Sequence, residues 1–210
     1  MPLLMGVGML VFFGLILWIA VKSAKQASLR MAQLAANLGL TMETSQVTLG
    51  IFHSAPKASG LRRGKRMEIF TYTTGSGKSR TSWAAIAAWA RSDGGLTFTL
   101  SRQGFGTKIA QLFGSREIQV GDPAFDAAWF IQTNRPEFLA AALLPEVRAK
   151  LDAAARGGSR GSLKLEHGRV IYAEVGGFGD NKRCERFEGI ADVVCDLADV
   201  AEVHASGAGR

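Results

Sequence analysis

The sequence predicts an α+β fold: an antiparallel β-sheet with packed helices, preceded by one N-terminal transmembrane helix. Three observations carry that expectation. Residues 1–21, MPLLMGVGMLVFFGLILWIAV, hold no charged side chain, and about 20 apolar residues at roughly 1.5 Å each match the thickness of a bilayer core. Several short stretches alternate apolar and polar with period two, as half-buried strands do, and glycine-containing turns separate them. The last long stretch, NKRCERFEGIADVVCDLADVAEVH, carries an apolar stripe at helical spacing. The expected division is a transmembrane helix at 1–21, a juxtamembrane helix at 22–39, an α+β domain at 40–204 and a disordered tail at 205–210.

No Lys or Arg precedes the apolar run, and Lys22 stands where a cleaved leader needs small neutral residues, so the run reads as a retained anchor. Lys22, Lys25 and Arg30 come directly after it, and basic flanks stay on the cytoplasmic side, which places the domain in the cytoplasm. Residues 23–38 are helix formers with Leu29, Met31, Leu34, Ala35 and Leu38 near one face and Gly39 as C-cap. From Ser59 the pattern turns to strands. EIFTY alternates Ile69 and Thr71 against Phe70 and Tyr72, and LTFTL sets Leu96, Phe98 and Leu100 against Thr97 and Thr99. SRTSWAAIAAWAR between them reads as a strand, and the glycines after Ser92-Asp93 lead straight back into the next one. TKIAQLFG suggests a short helix, REIQVG a short strand and AAWFIQT another. Pro136 and Pro145 sit in the first turns of two helices, where a missing N–H costs nothing. SLKLEHGRVIYAEVG is a hairpin whose two-residue turn is His167-Gly168.

Candidate chemistry is sparse. Gly75-Ser76-Gly77-Lys78-Ser79 resembles a phosphate loop, and Gly75, Gly77, Lys78 and Ser79 would be its residues. The required first glycine falls at Tyr72, and SRTSW is a poor helix start, so a hairpin turn is the simpler reading. Asp122 and Asp126 are close enough to act as an acid–base pair, yet Gly-Asp-Pro is turn chemistry. His53, His167 and His204 have no metal-ligand spacing, and Cys184 and Cys195 are too far apart along one helix for a disulfide. Lys and Arg number 25 against 18 Asp and Glu. The excess concentrates in Lys57, Arg62, Arg63, Lys65, Arg66, Lys78 and Arg80, and if the two turns holding them lie together near the anchor they would contact anionic lipids.

The tract VGDPAFDAAWFIQTNRPEFLAAALLPEVRAKL, with TGSGKSRTSW before it and LEHGRVIY after it, resembles uncharacterised bacterial proteins with one N-terminal membrane helix. In that family a GD..FD segment leads into a strand, a short helix and an L.PE.R..L helix. The resemblance implies a bacterial inner-membrane location and no known activity. The functional expectation is a single-pass cytoplasmic interaction or structural module. It would be no enzyme and would hold no cofactor and no metal. Its partners would be the lipid bilayer and a protein at the membrane, not nucleic acid. The alternative is a phosphate- or nucleotide-binding domain built on the Gly75–Ser79 loop.

Overall fold

The structure, a computed structural model, describes residues 2–43, 47–48, 52–53, 56–103 and 117–207, and within these the side chains of 14–43, 56–103 and 117–206. The short helix expected at 107–114 and the last residues of the tail lie outside the described residues, as does the side chain of His53.

Helix α1 runs unbroken from Pro2 to Asn37, so the apolar run and the basic stretch after it form one rod. It stops at Gly39, whose φ of +71° suits a residue without a Cβ. Leu40 N–H reaches back to Ala35 O at 2.8 Å and Gly39 N–H to Ala36 O at 3.0 Å, the paired closure of a glycine-capped helix end. Met31, Leu34, Ala35 and Leu38 are buried, whereas Leu29 is exposed. Two residues before Met31, it lies about 200° around the axis and cannot share that face. Among the described residues, no helix is long and apolar enough to cross a membrane; the side chains of 1–13, most of the expected span, lie outside them.

Eight strands form one antiparallel sheet. In chain order they are β1 (Thr41–Met42), β4 (Lys57–Arg62), β5 (Lys65–Thr74), β6 (Thr81–Trp89), β7 (Phe98–Arg102), β8 (Trp129–Thr133), β9 (Ser162–Glu166) and β10 (Arg169–Val175). Their order across the sheet is β1-β4-β5-β6-β10-β9-β7-β8. Strands β2 (Val47–Thr48) and β3 (Phe52–His53) pair separately. The helices α2 (Pro123–Ala128), α3 (Phe138–Ala142), α4 (Pro145–Arg156) and α5 (Asn181–Gly207) complete the domain. Helix α5 lies along β6 and β10, and α1, α3 and α4 pack beside it. Ala84, Ile86 and Ala88 of β6 join Phe187, Ala191, Val194, Ala198 and Ala201 of α5 in the core. Small residues on both elements bring helix and sheet close.

Local signals hold where both partners are local. The β9–β10 turn has φ of +53° at His167 and +70° at Gly168, as a two-residue hairpin requires, and α4 spans Pro145 to Arg156, the range its proline and glycines mark. Four expectations change. Strand β7 does not pair back onto β6, because the β10–β9 hairpin lies between them. Asp93 does make the turn, accepting from Gly95 N–H at 3.0 Å, but its other oxygen takes Gly168 N–H and so ties the turn to that hairpin. Residues 117–120 are not a strand; Ile118 N–H makes one bond to Ile131 O. Ala127 and Ala128 close α2 rather than opening β8. Helix α5 continues through Ala205 and Ser206 to Gly207, into the segment expected to be tail.

Candidate functional site

Most of the residues singled out in the sequence are placed in structural roles. Gly75-Ser76-Gly77-Lys78-Ser79 caps the β5–β6 hairpin with a single 3-10 turn, Gly77–Ser79. After Ser79 the chain enters β6, antiparallel to β5, with Thr74 opposite Thr81. No helix opens at Lys78, so the converging N–H groups of a phosphate loop are not formed. Asp122 caps α2 by accepting from Phe125 N–H at 3.2 Å and holds Arg148 at 3.0 Å. Asp126 accepts from Val120 and Gly121 N–H at 2.9 and 3.1 Å. Both acids are occupied in holding one loop. His167 sits in the hairpin turn, and His204 packs edge-on to Phe138. Cys195 is buried, which pushes its thiol up to about 11, and Cys184 is half-buried; both are free.

Of the basic residues expected at lipid, the five around the first turn, Lys57, Arg62, Arg63, Lys65 and Arg66, have partners inside the chain. Lys65 is buried against α5, 2.9 Å from Asp199 and 2.6 Å from Glu202. Burial opposes its charge, and the hydrogen bonds it donates to these two carboxylates overcome that and hold its pKa above the ordinary value. Arg62 binds Asp192 at 2.9 Å, and Arg63 binds Asp196. Lys57 and Arg66 share buried Glu68, at 3.0 and 2.7 Å. Arg62 also reaches Leu38 O at 3.4 Å, which lies about 25 Å further along α1 than Val21. This turn is therefore at the end of the domain away from the apolar run.

The functional candidate is the sheet face opposite α5, which none of the described helices covers. Antiparallel register sets its side chains in rows. Leu61, Arg66, Trp89, Arg169 and Glu166 form one row; Glu68, Ala87, Ile171 and Lys164 form the next. Then come Lys57, Phe70, Ala85, Ala173 and Ser162, and last Tyr72, Trp83 and Val175. Ala85, Ala87 and Ala173 make a low, buried floor between aromatic walls. Tyr72 and Trp83 stack with centroids 6.2 Å apart, and Trp83 Nε1–H donates to Thr74 at 2.8 Å.

Arg169 is the unusual group on this face. Its guanidinium lies 4.7 Å from the Phe70 ring centre and 4.9 Å from that of Trp89, whose ring also carries Arg66 at 5.0 Å. Burial disfavours its charge and lowers its pKa from the ordinary value, against the attraction of Glu68. Its Nε–H is buried and has no hydrogen-bond partner among the described residues. A desolvated cation–π contact contributes about 2 kcal/mol, yet an unpaired buried donor costs about 1–3 kcal/mol. The face thus holds a cation, oriented by two rings, with a donor left unsatisfied.

Sequence reasoning missed this cluster because Phe70, Trp89 and Arg169 come from three strands. A signal was present: in EIFTY and SWAAIAAW both phases of the alternation are apolar, which a face given over to water does not need.

Fold and site together define an antiparallel α+β domain on a long N-terminal helix, with one aromatic–arginine sheet face. Among solved structures, the chain is similar to the crystal structure of the mycobacterial trehalose monomycolate transport factor A, TtfA. Sequence identity is 14% and the TM-score 0.49, over 84% of this chain and 95% of that one. No protein-family model matches the chain, and no curated protein sequence matches it.

Proposed function

We propose that this protein is a membrane-tethered interaction module without catalytic activity of its own. The apolar first part of α1 is held in the inner membrane of a bacterium. The domain stands in the cytoplasm and receives an extended segment of a partner protein on the sheet face opposite α5. The observation that carries this reading is Arg169, clamped between Phe70 and Trp89 with a buried, unpaired donor. A carboxylate on an otherwise apolar peptide supplies what is missing: an acceptor for the guanidinium and apolar surface for Trp83, Ile171 and Val175. Nucleic acid fits less well. Tracking a phosphate backbone takes several free cations, and on this face Lys57 and Arg66 are paired with Glu43 and Glu68, and Lys164 with Glu166.

The test has two parts. In cells, the chain should fractionate with the inner membrane, and a C-terminal reporter should act in the cytoplasm; a soluble chain overturns the tether, and a periplasmic reporter overturns the cytoplasmic placement. A photoreactive phenylalanine at position 72, on the rim of the face, should give a discrete protease-sensitive, nuclease-resistant adduct. The same group at position 203, exposed on α5, should not. No adduct at 72, or one that nuclease removes, overturns the binding face.

A further inference from the structure

We infer that the end of the domain nearest the membrane, with the β5–β6 hairpin at its tip, docks on anionic lipid headgroups; this rests on the tether proposed above. The placement comes from three contacts. A Cβ on Gly179 would lie 3.8 Å from that of Ala27, and Asn37 donates to Glu188 at 3.2 Å. Helices α1 and α5 therefore run side by side in the same sense, and the start of α5 lies toward the apolar run. Strand β10 enters α5 at that same end, where Gly176 N–H bonds Ser82 O at 2.8 Å. Beyond Val175, paired with Trp83, the β5–β6 hairpin continues for two more residue pairs and its turn.

The distances suit contact. Ala27 is about 9 Å along the helix from Val21, where the apolar run ends. The headgroup layer is about 5–7 Å thick on each side, and two residue pairs project about 7 Å before the turn is counted. Residues 72–80 are all exposed.

Charge is segregated between the two ends. At the far end Arg62, Arg63 and Lys65 are each paired with carboxylates of α5. At the near end Lys22, Lys25, Lys78, Arg80, Arg156 and Lys182 are exposed, and none makes an ion pair among the described residues. Glu174, the buried acid at this end, is already held by Arg186 and Arg183. Asp180 and Glu185 remain, too few to neutralise six cations. Of the two basic turns the sequence offers for lipid contact, the fold pairs Arg62, Arg63 and Lys65 with α5 at the far end and leaves Lys78 and Arg80 exposed at the near end.

The test uses the full chain in nanodiscs of phosphatidylcholine alone or mixed equally with phosphatidylglycerol, read by hydrogen exchange. Amides of residues 75–80 should exchange several-fold more slowly in the anionic discs. High salt should abolish the difference, because exposed charges are screened over about 3 Å at 1 M. The double variant Lys78→Gln, Arg80→Gln should also lose it, and Arg63→Gln should keep it. Equal exchange in both discs, or slowing that survives the double variant, overturns the docking while leaving the tether intact. A chain that does not stay with the discs overturns the tether itself and the docking with it.

Discussion

Glu174 shows how a buried charge can be structural. Its carboxylate accepts from Tyr172 Oη at 2.7 Å and from Arg186 Nε and Nη2 at 2.9 and 2.5 Å, while Ser159 holds Tyr172 at 2.5 Å. Burial alone would raise its pKa; the bonds from Arg186 and Tyr172 win and place it below the ordinary value of 4.5. A depressed folded pKa means the group stabilises fully above its unfolded value and loses that contribution as pH falls through the folded one. Glu174→Ala should cost about 3–5 kcal/mol in urea unfolding at neutral pH, because Arg186 is left buried without its partner. The gap to wild type should narrow below pH 4.5; a gap that is flat or widens there would contradict the pairing. Arg169 behaves in the opposite way. It lies against the Phe70 and Trp89 rings with a donor unpaired among the described residues, so Arg169→Met should leave stability within about 1 kcal/mol of wild type or raise it. The adduct formed at position 72 should nonetheless disappear. Large destabilisation would make Arg169 a structural residue instead.

At the scale of elements, the β5–β6 tip separates the two readings its glycines invite. Gly75 has φ of +78°, and a Cβ there would lie 2.4 Å from Ser79 O. Gly77 has φ of +54° with open space around it. Gly75→Ala should therefore cost clearly more than Gly77→Ala, which pays the backbone term of about 1 kcal/mol alone. Equal costs in thermal unfolding would show that the turn differs from the one described. This hairpin was legible because its strands and turn are contiguous, and the same holds for β9–β10 and for α4 between Pro145 and Gly157. The pairing of β7 was not legible. Asp93-Gly94-Gly95 is sound turn chemistry, but a turn fixes chain reversal, not which strand lies alongside. The basic cluster failed for a related reason. Lys65 and Asp199 are 2.9 Å apart in space, and nothing local in sequence says that one will neutralise the other.

For the whole molecule, sheet order decides how the parts depend on one another. Strand β6 is central, with Ala84 to Ala88 fully buried on both faces. It is flanked on one side by β5, its neighbour in sequence, and on the other by β10, which arrives about 80 residues later after β7, β8 and β9 have formed the far edge. Helix α5 then closes over β6 and β10, and Lys65 at the start of β5 is fastened to its last turns. Neither half of the sheet can bury its inner edge without the other, so the domain should unfold as one cooperative unit. In hydrogen exchange across a urea series, amides of β5–β6 and of β7–β8 should lose protection at the same denaturant concentration, although they lie in opposite halves of the sheet. Residues 75–80, exposed at the tip and held in a single 3-10 turn, should be less protected than either strand pair throughout in the absence of lipid. Two separated midpoints would mean that β1-β4-β5-β6 stands alone as a folded unit. The face holding Arg169 would then be built across two independent units, since Phe70 and Trp89 belong to one and Arg169 to the other.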